Sequence, residues 1–555
     1  MIHNPVLPGF NPDPSILCKG GEYYIATSTF EWFPGIALYH SRNLETWELL
    51  GHAINDEEQL RVARLPSAKG VWAPSLTFNE QEQRFYLAYS LMYSHNARYF
   101  DLDNFVITAQ DITGPWSAPI YLHSVGFDPS FFHDEDGTSY VVCLQWELRN
   151  GEGRPDCIVI QEYDREQKKL VGPLKEIWRG GTKRGCLEGP HLFRKGQYYY
   201  LFCAEGGTGY GHAVTVARSK SPWGPYEGDP QNPIVSAAED FDESDNAEYL
   251  KPHRYNPRVP LQKTGHASLV QAHDDSWYIA FLCSRPILPE LRCTLGRETA
   301  LAKMVWTEDE WCRLAGEGKS PPLEVEPPLF PHPIQALDNP LPSCGKTQFH
   351  GPWNEHFISP RRDYRIFSSL TMRPGYLRLI GKQSLCSLDL VALVARRLQS
   401  LQAIVSTEVW FEPSDWRQSA GLVIYHDNMN FRFLRVSWDA QLQQKVLFLT
   451  ALVNGVRNER YCTVLPSGEA VRLGLSVHDR DLRFHWALGT GSTLFAEQKW
   501  ESLSDKFDVS ELSDEFSTFG EFTGAFVGMA CEDFKSHAQP ADFTWFSYHH
   551  GVLSV

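Results

Sequence analysis

Three carboxylates and one imidazole stand in similar short motifs at widely separated points of this chain. Asp13 lies between two prolines in "NPDPS", Asp128 lies in "FDPS", Glu188 begins "EGPH", and His266 lies in "GHAS". Proline has φ fixed near −65° and pushes the residue before it toward extended geometry, so we expect a stiff, extended backbone around Asp13. A plain turn before a strand explains one such motif, since Asn, Pro, Asp and Ser all favour turns. The recurrence of the motif calls for a functional interpretation.

The motifs belong to an internal repeat of five units. Each unit has a small residue or proline, a short apolar strand, a polar turn and an aromatic strand, which is the pattern of a β-hairpin. The unit starts are roughly 55 to 75 residues apart, comparable with or longer than known propeller repeats. The units are "DPSILCKGGEYYIATS" from Asp13, "APSLTFNEQEQRFYLAYS" from Ala73, "DPSFFHDEDGTSYVVCLQ" from Asp128, "GPHLFRKGQYYYLFCAEG" from Gly189 and "HASLVQAHDDSWYIAFLCS" from His266.

Further strand-like runs between the hairpins complete five four-stranded blades, so the pattern predicts a five-bladed β-propeller. A β-sandwich is the competing interpretation, and the five matched units favour the propeller. The innermost strands of a propeller surround one channel, so equivalent positions converge on an axial funnel. Clustered acids repel and raise one another's pKa, which a purely structural role does not need, so their convergence indicates a functional site. These positions are Asp13, Ala73, Asp128, Glu188 (just before Gly189) and His266.

Carboxyl groups that face each other across an aromatic pocket suit glycoside hydrolysis. One protonated carboxyl donates to the leaving oxygen, and one carboxylate activates water or attacks the sugar. We expect inversion, for which the pair stands about 6.5 to 9.5 Å apart, because the acids come from non-adjacent blades. The third acid can keep the donor protonated through charge repulsion. Divalent-metal binding is the other chemistry open to three acids, but these acids sit on separate blades, without the dense Asp/Asn loop ligands of a calcium site.

Longer motifs resemble those of glycoside hydrolase family 43, in the β-xylosidase branch with a C-terminal β-sandwich. The resemblance covers nearly the whole chain. It implies that Asp13 is the general base, that Glu188 is the general acid, and that Asp128 orients the acid and modulates its pKa. The residues alone do not show which of the three acids takes which role. The motifs are "NPVLPGFNPDPSI", "GVWAPSL", "FDPSFFHDEDGTSYVV", "GTKRGCLEGPHLF", "LQKTGHASLVQ", "LGRETAL", "RPGYLRLIGKQSL" and "FTGAFVGMACED".

The resemblance also implies further residues around the sugar. Arg297 in "LGRETAL" would hydrogen-bond sugar hydroxyls, with a salt bridge at a blade edge as the alternative. His266 would lie near an axial calcium ion or water, with a satisfied core histidine as the alternative. Phe30, Trp72 and Ala73 would line the sugar pocket, although core packing also explains the aromatic residues. The resemblance implies no required cofactor and leaves a structural calcium ion open.

The second half of the chain predicts a separate β-domain. We expect a propeller over residues 1–320, a Pro-rich linker over 321–345 and a concanavalin-like β-sandwich over 346–555. The sandwich is either a freestanding sugar-binding module or, as the resemblance implies, a cover that packs on the propeller and narrows the funnel. Phe522 in "GEFTGAFVG" either reaches that funnel or belongs to the sandwich core. A pocket blocked on one side would admit only the end of a sugar chain.

Composition excludes several kinds of partner. The net charge of −17 disfavours nucleic acid and anionic membranes, and no apolar run approaches the roughly 20 residues of a membrane span. The N-terminus "MIHNPVLPGF" shows no secretory signal, and the 12 cysteines show neither CxxC nor metal-ligand spacing. We therefore expect a cytoplasmic protein that acts on small oligosaccharides. The sequence leaves self-association into a homo-oligomer open.

Three functional hypotheses follow. The first is an inverting, exo-acting xylan 1,4-β-xylosidase that releases xylose from the non-reducing end of short xylo-oligosaccharides, with α-L-arabinofuranosidase side activity. The second is chiefly an α-L-arabinofuranosidase on the same fold. The third, from another class, is a non-catalytic carbohydrate-binding protein. It would be expected to lack one of the acids, whereas Asp13, Asp128 and Glu188 are all present.

Overall fold

The computed structural model describes residues 1–96, 99–149, 156–241, 250–330, 335–337, 340–341, 344–494, 499–518 and 522–552. Within these ranges the chain is almost entirely β-structure, with one short α-helix, Glu57–Leu60, and three 3₁₀ turns at Pro252–Arg254, Tyr364–Ile366 and Val509–Glu511. Among these residues, no helix combines the length and the apolar composition needed to cross a membrane.

The first part of the chain forms five antiparallel sheets. Its strands, in chain order, are β1 Ile2–His3, β2 Ser15–Lys19, β3 Glu22–Thr27, β4 Trp32–Phe33, β5 Gly35–Ser41, β6 Glu48–Ile54, β7 Gly70–Asn79, β8 Arg84–Asn96, β9 Tyr99–Ala109, β10 Ile120–Tyr121, β11 Ser130–His133, β12 Ser139–Trp146, β13 Asp156–Asp164, β14 Lys169–Trp178, β15 Glu188–Lys195, β16 Tyr198–Glu205, β17 Ala213–Ser219, β18 Glu227–Gly228, β19 Val235–Ser236, β20 Gln262–Gln271, β21 Trp277–Ser284, β22 Glu298–Trp306, β23 Cys312–Leu314 and β24 Glu324–Val325.

These sheets are the five blades of a β-propeller. The blades are β2-β3-β5-β6, β7-β8-β9-β10, β11-β12-β13-β14, β15-β16-β17-β18 (with β19 beside β17) and β20-β21-β22-β23. The innermost strands β2, β7, β11, β15 and β20 contact one another in that order, and β20 contacts β2. Serines two residues after three of the repeat starts, Ser15, Ser130 and Ser268, tie neighbouring blades together. Leu76 N–H donates to Ser15 Oγ at 2.9 Å, and Ile16 N–H donates to Ser268 Oγ at 2.7 Å.

The second part forms a β-sandwich of two large antiparallel sheets, β27-β28-β39-β30-β35-β36-β37 with β25 beside β39, and β29-β38-β31-β32-β33-β34. Its strands are β25 Gly345–Gln348, β26 Ser359–Pro360, β27 Ser368–Ser369, β28 Leu377–Ile380, β29 Leu393–Arg397, β30 Gln402–Trp410, β31 Gln418–Asp427, β32 Asn430–Asp439, β33 Gln444–Val453, β34 Val456–Val464, β35 Val471–His478, β36 Asp481–Leu488, β37 Glu501–Asp508, β38 Phe526–Asp533 and β39 Pro540–His550.

The two domains are packed against each other rather than hinged on a free linker. β26 of the sandwich pairs with β4 of the propeller, and one buried apolar cluster contains residues of both, such as Phe33 and Phe367. Within the predicted linker 321–345, β24 pairs with β1 of the propeller, and Gly345 at the other end pairs with β39 of the sandwich. Linker residues 331–334, 338–339 and 342–343 lie outside the described residues, and the predicted domain limits stay a prediction.

Candidate active site

The repeat starts share one unusual backbone conformation. Asp13, Ala73, Asp128, Gly189 and His266 all have positive φ, between 44° and 59°. The expectation of an extended backbone at Asp13 was therefore wrong, although Pro14 follows it. Left-handed φ costs roughly 1–2 kcal/mol for most residues and is least unfavourable for Gly, Asn and Asp. Its presence in all five blades means that the propeller imposes the same backbone conformation at the start of each repeat, just before β2 and β11, at the second residue of β15, and at register shifts within β7 and β20.

The fourth blade supplies its acid from one residue earlier. Gly189, not Glu188, occupies the equivalent left-handed position. A Cβ atom at Gly189 would lie only 2.9 Å from Nδ1 of His266, so a side chain does not fit there. The carboxyl group of this blade therefore comes from Glu188, at the start of β15.

Asp13 is buried and surrounded by donors. Arg297 Nη1 donates to its Oδ1 at 2.9 Å, and Ser28 Oγ donates to its Oδ2 at 2.7 Å. Nδ1 of His266 lies 4.0 Å from Oδ1. Burial alone would raise the pKa of Asp13, but the charges of Arg297 and His266 and the Ser28 hydrogen bond lower it overall. Asp13 is thus held as a carboxylate.

The pKa shift of Asp128 is intermediate between the lowered pKa of Asp13 and the strongly raised pKa of Glu188. Its Oδ2 accepts from the Gly189 N–H at 2.9 Å, and Nδ1 of His266 lies 3.9 Å away. Burial raises its pKa to about 6, with the charge of Asp13 adding to the rise while His266 and the Gly189 N–H oppose it. Asp128 is therefore connected to His266 and to the backbone that carries Glu188.

Glu188 is the acid most strongly held in its protonated form. Its side chain is 16% exposed, and burial, followed by the charges of Asp128 and Asp13, raises its pKa well above the usual range. Nε2 of His212 lies 3.8 Å from its Oε1. Because Glu188 is kept neutral and Asp13 is kept ionised, the two groups are suited to opposite proton-transfer roles.

His212 is a neighbour of the acid that the sequence interpretation missed. Its ring is fully buried, and Nδ1 lies 3.3 Å from the carbonyl oxygen of Lys263. Burial lowers its pKa to about 3, so the imidazole beside Glu188 is neutral. The only sequence signal for it is the glycine-rich "GGTGYGH", together with Gly265, where a Cβ would lie 2.3 Å from the His212 ring.

The three acids lie in one pocket of about 200 Å³ with aromatic walls. Among the predicted residues, Arg297, His266, Phe30, Trp72 and Phe522 line it together with the three acids, whereas Ala73 is not part of the lining. Instead, the Ala73 N–H donates to Ser28 Oγ at 2.7 Å and so helps to hold the group that binds Asp13. Lining residues that sequence reasoning missed are His95, Phe100, Phe127, Trp146, Cys186, Gly207 and Thr208.

The sandwich domain contributes one wall. The Phe522 ring lies 5.9 Å from the Trp72 ring at 82°, and Trp72 also packs against Phe30 at 5.8 Å. Arg297 Nη2 donates to the Phe522 carbonyl oxygen at 3.4 Å. Phe522 therefore reaches the funnel, and Arg297 pairs with Asp13 inside the pocket rather than at a blade edge.

The residues around His266 do not make an evident calcium cage. Calcium prefers six to eight oxygen ligands, whereas His266 offers a nitrogen and its acidic neighbours are already engaged by Arg297, Ser28 and Gly189. In the part of the chain that the structure describes, no group of three or more His, Cys, Asp or Glu side chains is arranged to hold a metal ion.

Comparison with known proteins identifies the family. The model described as "Glycosyl hydrolases family 43" matches residues 2–312. The chain belongs to this family. A second model, "Beta xylosidase C-terminal Concanavalin A-like domain", matches residues 348–549. The protein is thus a family 43 glycoside hydrolase in which a catalytic propeller is joined to a concanavalin-like sandwich.

Several relatives of this family 43 enzyme are similar over nearly their full length. A "Beta-xylosidase" of Bacillus subtilis is 40% identical over 559 residues, covering 99% of both chains. A "Xylosidase/arabinosidase 43B" of Humicola insolens is 38% identical, over 99% of this chain and 97% of the relative. The crystal structure of a xylan β-1,4-xylosidase from Bacillus halodurans superposes with a TM-score of 0.89 at 39% identity, covering 99% of this chain and 100% of that one.

Proposed function

We propose that this family 43 enzyme is an inverting, exo-acting β-1,4-xylosidase that removes xylose from the non-reducing end of short xylo-oligosaccharides. The observation that carries the proposal is one small aromatic pocket in which an ionised Asp13 and a protonated Glu188 are assembled from different blades, with Phe522 across one side. The names of the relatives support the sugar.

Asp13 is proposed as the general base. In the proposed reaction a water molecule loses a proton to the Asp13 carboxylate while its oxygen attacks the anomeric carbon. Arg297 and Ser28 hold the carboxylate in place and keep it ionised before the reaction. The guanidinium groups of arginines also donate to sugar hydroxyls, and Arg297 lies where it can contact both the base and the sugar.

Glu188 is proposed as the general acid. It donates its proton to the glycosidic oxygen as the bond between that oxygen and the anomeric carbon breaks, so the leaving sugar departs as a neutral alcohol. The charges of Asp128 and Asp13 keep Glu188 protonated until then. Asp128 also holds the Gly189 N–H, which fixes the backbone next to the acid. The proposed reaction needs no cofactor beyond these side chains.

The shape of the pocket supports removal of terminal sugars. A volume of about 200 Å³ accommodates roughly one pentose unit, and Phe522 from the sandwich narrows the side that a continuing chain would need. The strongly negative charge of the protein suits a neutral polyol. All twelve cysteines lie in the described residues and none pairs with another, which supports the cytoplasm as the proposed location.

Side activity on α-L-arabinofuranosides is part of the proposal, because one full-length relative carries both activities in its name. Initial rates on an aryl β-xyloside, an aryl α-L-arabinofuranoside and xylobiose, measured side by side, test the preference. We expect the β-xyloside and xylobiose to be hydrolysed fastest. If the α-L-arabinofuranoside were hydrolysed fastest, the proposal of a β-xylosidase would be replaced by that of an enzyme that is chiefly an α-L-arabinofuranosidase.

NMR of the earliest product tests inversion: α-xylose is expected from the β-linked substrate, and initial release of the β-anomer would refute it. Asp13→Asn tests the base with little backbone strain, since Asn tolerates the left-handed φ of 56°. We expect a loss of about 10²- to 10⁴-fold in turnover with an unchanged fold by circular dichroism. Near-full activity of this variant would remove Asp13 from the base role.

A further inference from the structure

Phe522 belongs to the sandwich, yet its position depends on contacts with the propeller. Residues 523–525 lie directly against propeller residues 294–296. The Ala525 N–H donates to the Thr294 carbonyl oxygen at 2.9 Å. A Cβ atom at Gly296 would lie 2.7 Å from the Thr523 carbonyl oxygen, so the two backbones touch without room for a side chain. The backbone after Phe522 is therefore docked closely onto the fifth blade.

Two consecutive acids of the sandwich secure this docking. Glu515 forms a buried ion pair with Lys263 of β20, their side chains being 11% and 4% exposed, and its Oε2 accepts from the Cys293 N–H at 2.8 Å. Oδ1 of Asp514 accepts from the Thr523 N–H at 3.0 Å. Glu515 thus fixes the segment to the propeller, and Asp514 fixes the amide that follows Phe522.

We propose that Asp514 and Glu515 are positioning residues that hold Phe522 across the sugar pocket and thereby restrict the enzyme to chain ends. The inference rests on the proposed exo function. Neither acid lines the sugar pocket, so both act through Phe522.

The space beside Phe522 explains why an anchor is needed. A second cavity of about 240 Å³, lined by Lys263, Asp514 and Glu515, shares Thr208, Arg297 and Phe522 with the sugar pocket. A phenylalanine side chain that lost its backbone anchor would have room to move toward this polar cavity. The hydrogen bond from Thr523 to Asp514 opposes that movement.

The charge state of Asp514 provides a matched control variant. Burial raises its pKa to about 8, and the neighbouring Glu515 charge adds to the rise while Lys263 and Arg297 oppose it. Nε2 of His426 lies 3.7 Å from its Oδ1, and burial lowers the pKa of that histidine, so it brings no positive charge. Asp514 is therefore protonated at pH 7, and Asp514→Asn retains both its shape and its acceptor oxygen. Asp514→Ala removes the acceptor.

The experiment compares these two variants with the wild-type protein by hydrogen–deuterium exchange and by kinetics. In Asp514→Ala we expect the peptide spanning residues 522–527 to exchange at least tenfold faster, and KM for xylobiose to rise about tenfold with a smaller change in kcat. We also expect xylobiose, xylotriose and xylotetraose among the earliest products from xylohexaose, whereas removal of a terminal sugar first gives only xylose and xylopentaose. Asp514→Asn should exchange no faster than wild type over residues 522–527 and should keep the wild-type KM and product pattern. Unchanged exchange and KM in Asp514→Ala, or equal losses in both variants, would overturn the inference.

Failure of the proposed function is distinguishable from failure of this inference, because the exchange measurement needs no substrate. If the wild-type protein hydrolyses no β-xyloside, the exchange difference still decides whether Asp514 anchors the segment. If Asp514→Ala exchanges faster throughout the chain, the hydrogen–deuterium exchange of Glu515→Gln tests the anchor instead. This variant keeps an oxygen for the Cys293 N–H but loses the charge that pairs with Lys263. Faster exchange confined to residues near 522–527 supports the anchor, and wild-type exchange refutes it.

Discussion

Replacing Ser28 with alanine should shift the acidic limb of the pH profile to higher pH. Ser28 Oγ is buried, donates to Asp13 Oδ2 at 2.7 Å and accepts from the Ala73 N–H at 2.7 Å. A hydrogen bond to a charged group contributes about 1.5–3 kcal/mol, and one pKa unit corresponds to about 1.4 kcal/mol. Losing the bond destabilises the Asp13 carboxylate and should raise its pKa by about 1–2 units.

The assay is kcat/KM for an aryl β-xyloside as a function of pH, which reports the ionisation of the free enzyme. Because Asp13 must be ionised to accept a proton, the activity of Ser28→Ala should fall at a pH about 1–2 units higher than in wild type. At pH values above the Asp13 pKa of both proteins, the loss of the Ser28 hydrogen bond should change kcat/KM little through the ionisation of Asp13.

Ser268→Ala is the matched control for this prediction. Ser268 is also buried and also accepts a backbone N–H, from Ile16 at 2.7 Å, but its hydroxyl donates to the Pro14 carbonyl oxygen at 3.4 Å rather than to a carboxylate of the pocket. Both variants leave a buried N–H unpaired and should lose stability by about 1–3 kcal/mol. An unshifted acidic limb in Ser28→Ala, or an equal shift in Ser268→Ala, would refute the assignment of that limb to Asp13.

Three further predictions concern the acid, its backbone and the domain contact. Glu188→Gln should slow xylobiose far more than a nitrophenyl β-xyloside, whose leaving group needs little protonation; equal losses in kcat/KM would contradict the acid role. Gly189→Ala should lower kcat/KM strongly, because the added Cβ would lie 2.9 Å from His266. Gly196→Ala is the control, since Gly196 has a similar φ of 59° and no atom within 4 Å of an added Cβ, and it should lose only stability. Equal activities of the two variants would exclude a role for the space between Gly189 and His266. Asp514→Asn should remove a pH dependence of stability: the raised pKa of about 8 favours folding below pH 4, and that contribution is lost as pH rises to 8, at about 1.4 kcal/mol per unit. Urea unfolding of the wild type and Asp514→Asn at pH 5 and pH 8 measures this. An equal change in the free energy of unfolding between the two pH values in both proteins would refute it.

Much of the architecture is readable from the chain because it depends on local patterns. Each hairpin combines an apolar strand, a polar turn and an aromatic strand, and five copies of that pattern lead to five blades. The same alignment points to Asp13, Asp128 and Glu188, since equivalent residues of a closed ring must approach one axis. Three serines of the motif are also explained by closure, because each reaches a neighbouring blade, as Ser15 does with Leu76.

Other properties arise only once the ring and the sandwich are assembled. The opposite pKa shifts of Asp13 and Glu188 depend on burial and on charges from other blades, which no local pattern contains. His212, in the segment between β16 and β17, lies beside Glu188 at the start of β15, and Phe522 reaches the pocket from a separate domain. The sequence by itself determined which chemical groups the repeat would carry to the axis. The tertiary structure decided their protonation states and the side from which the pocket is narrowed, because both depend on distances between segments hundreds of residues apart.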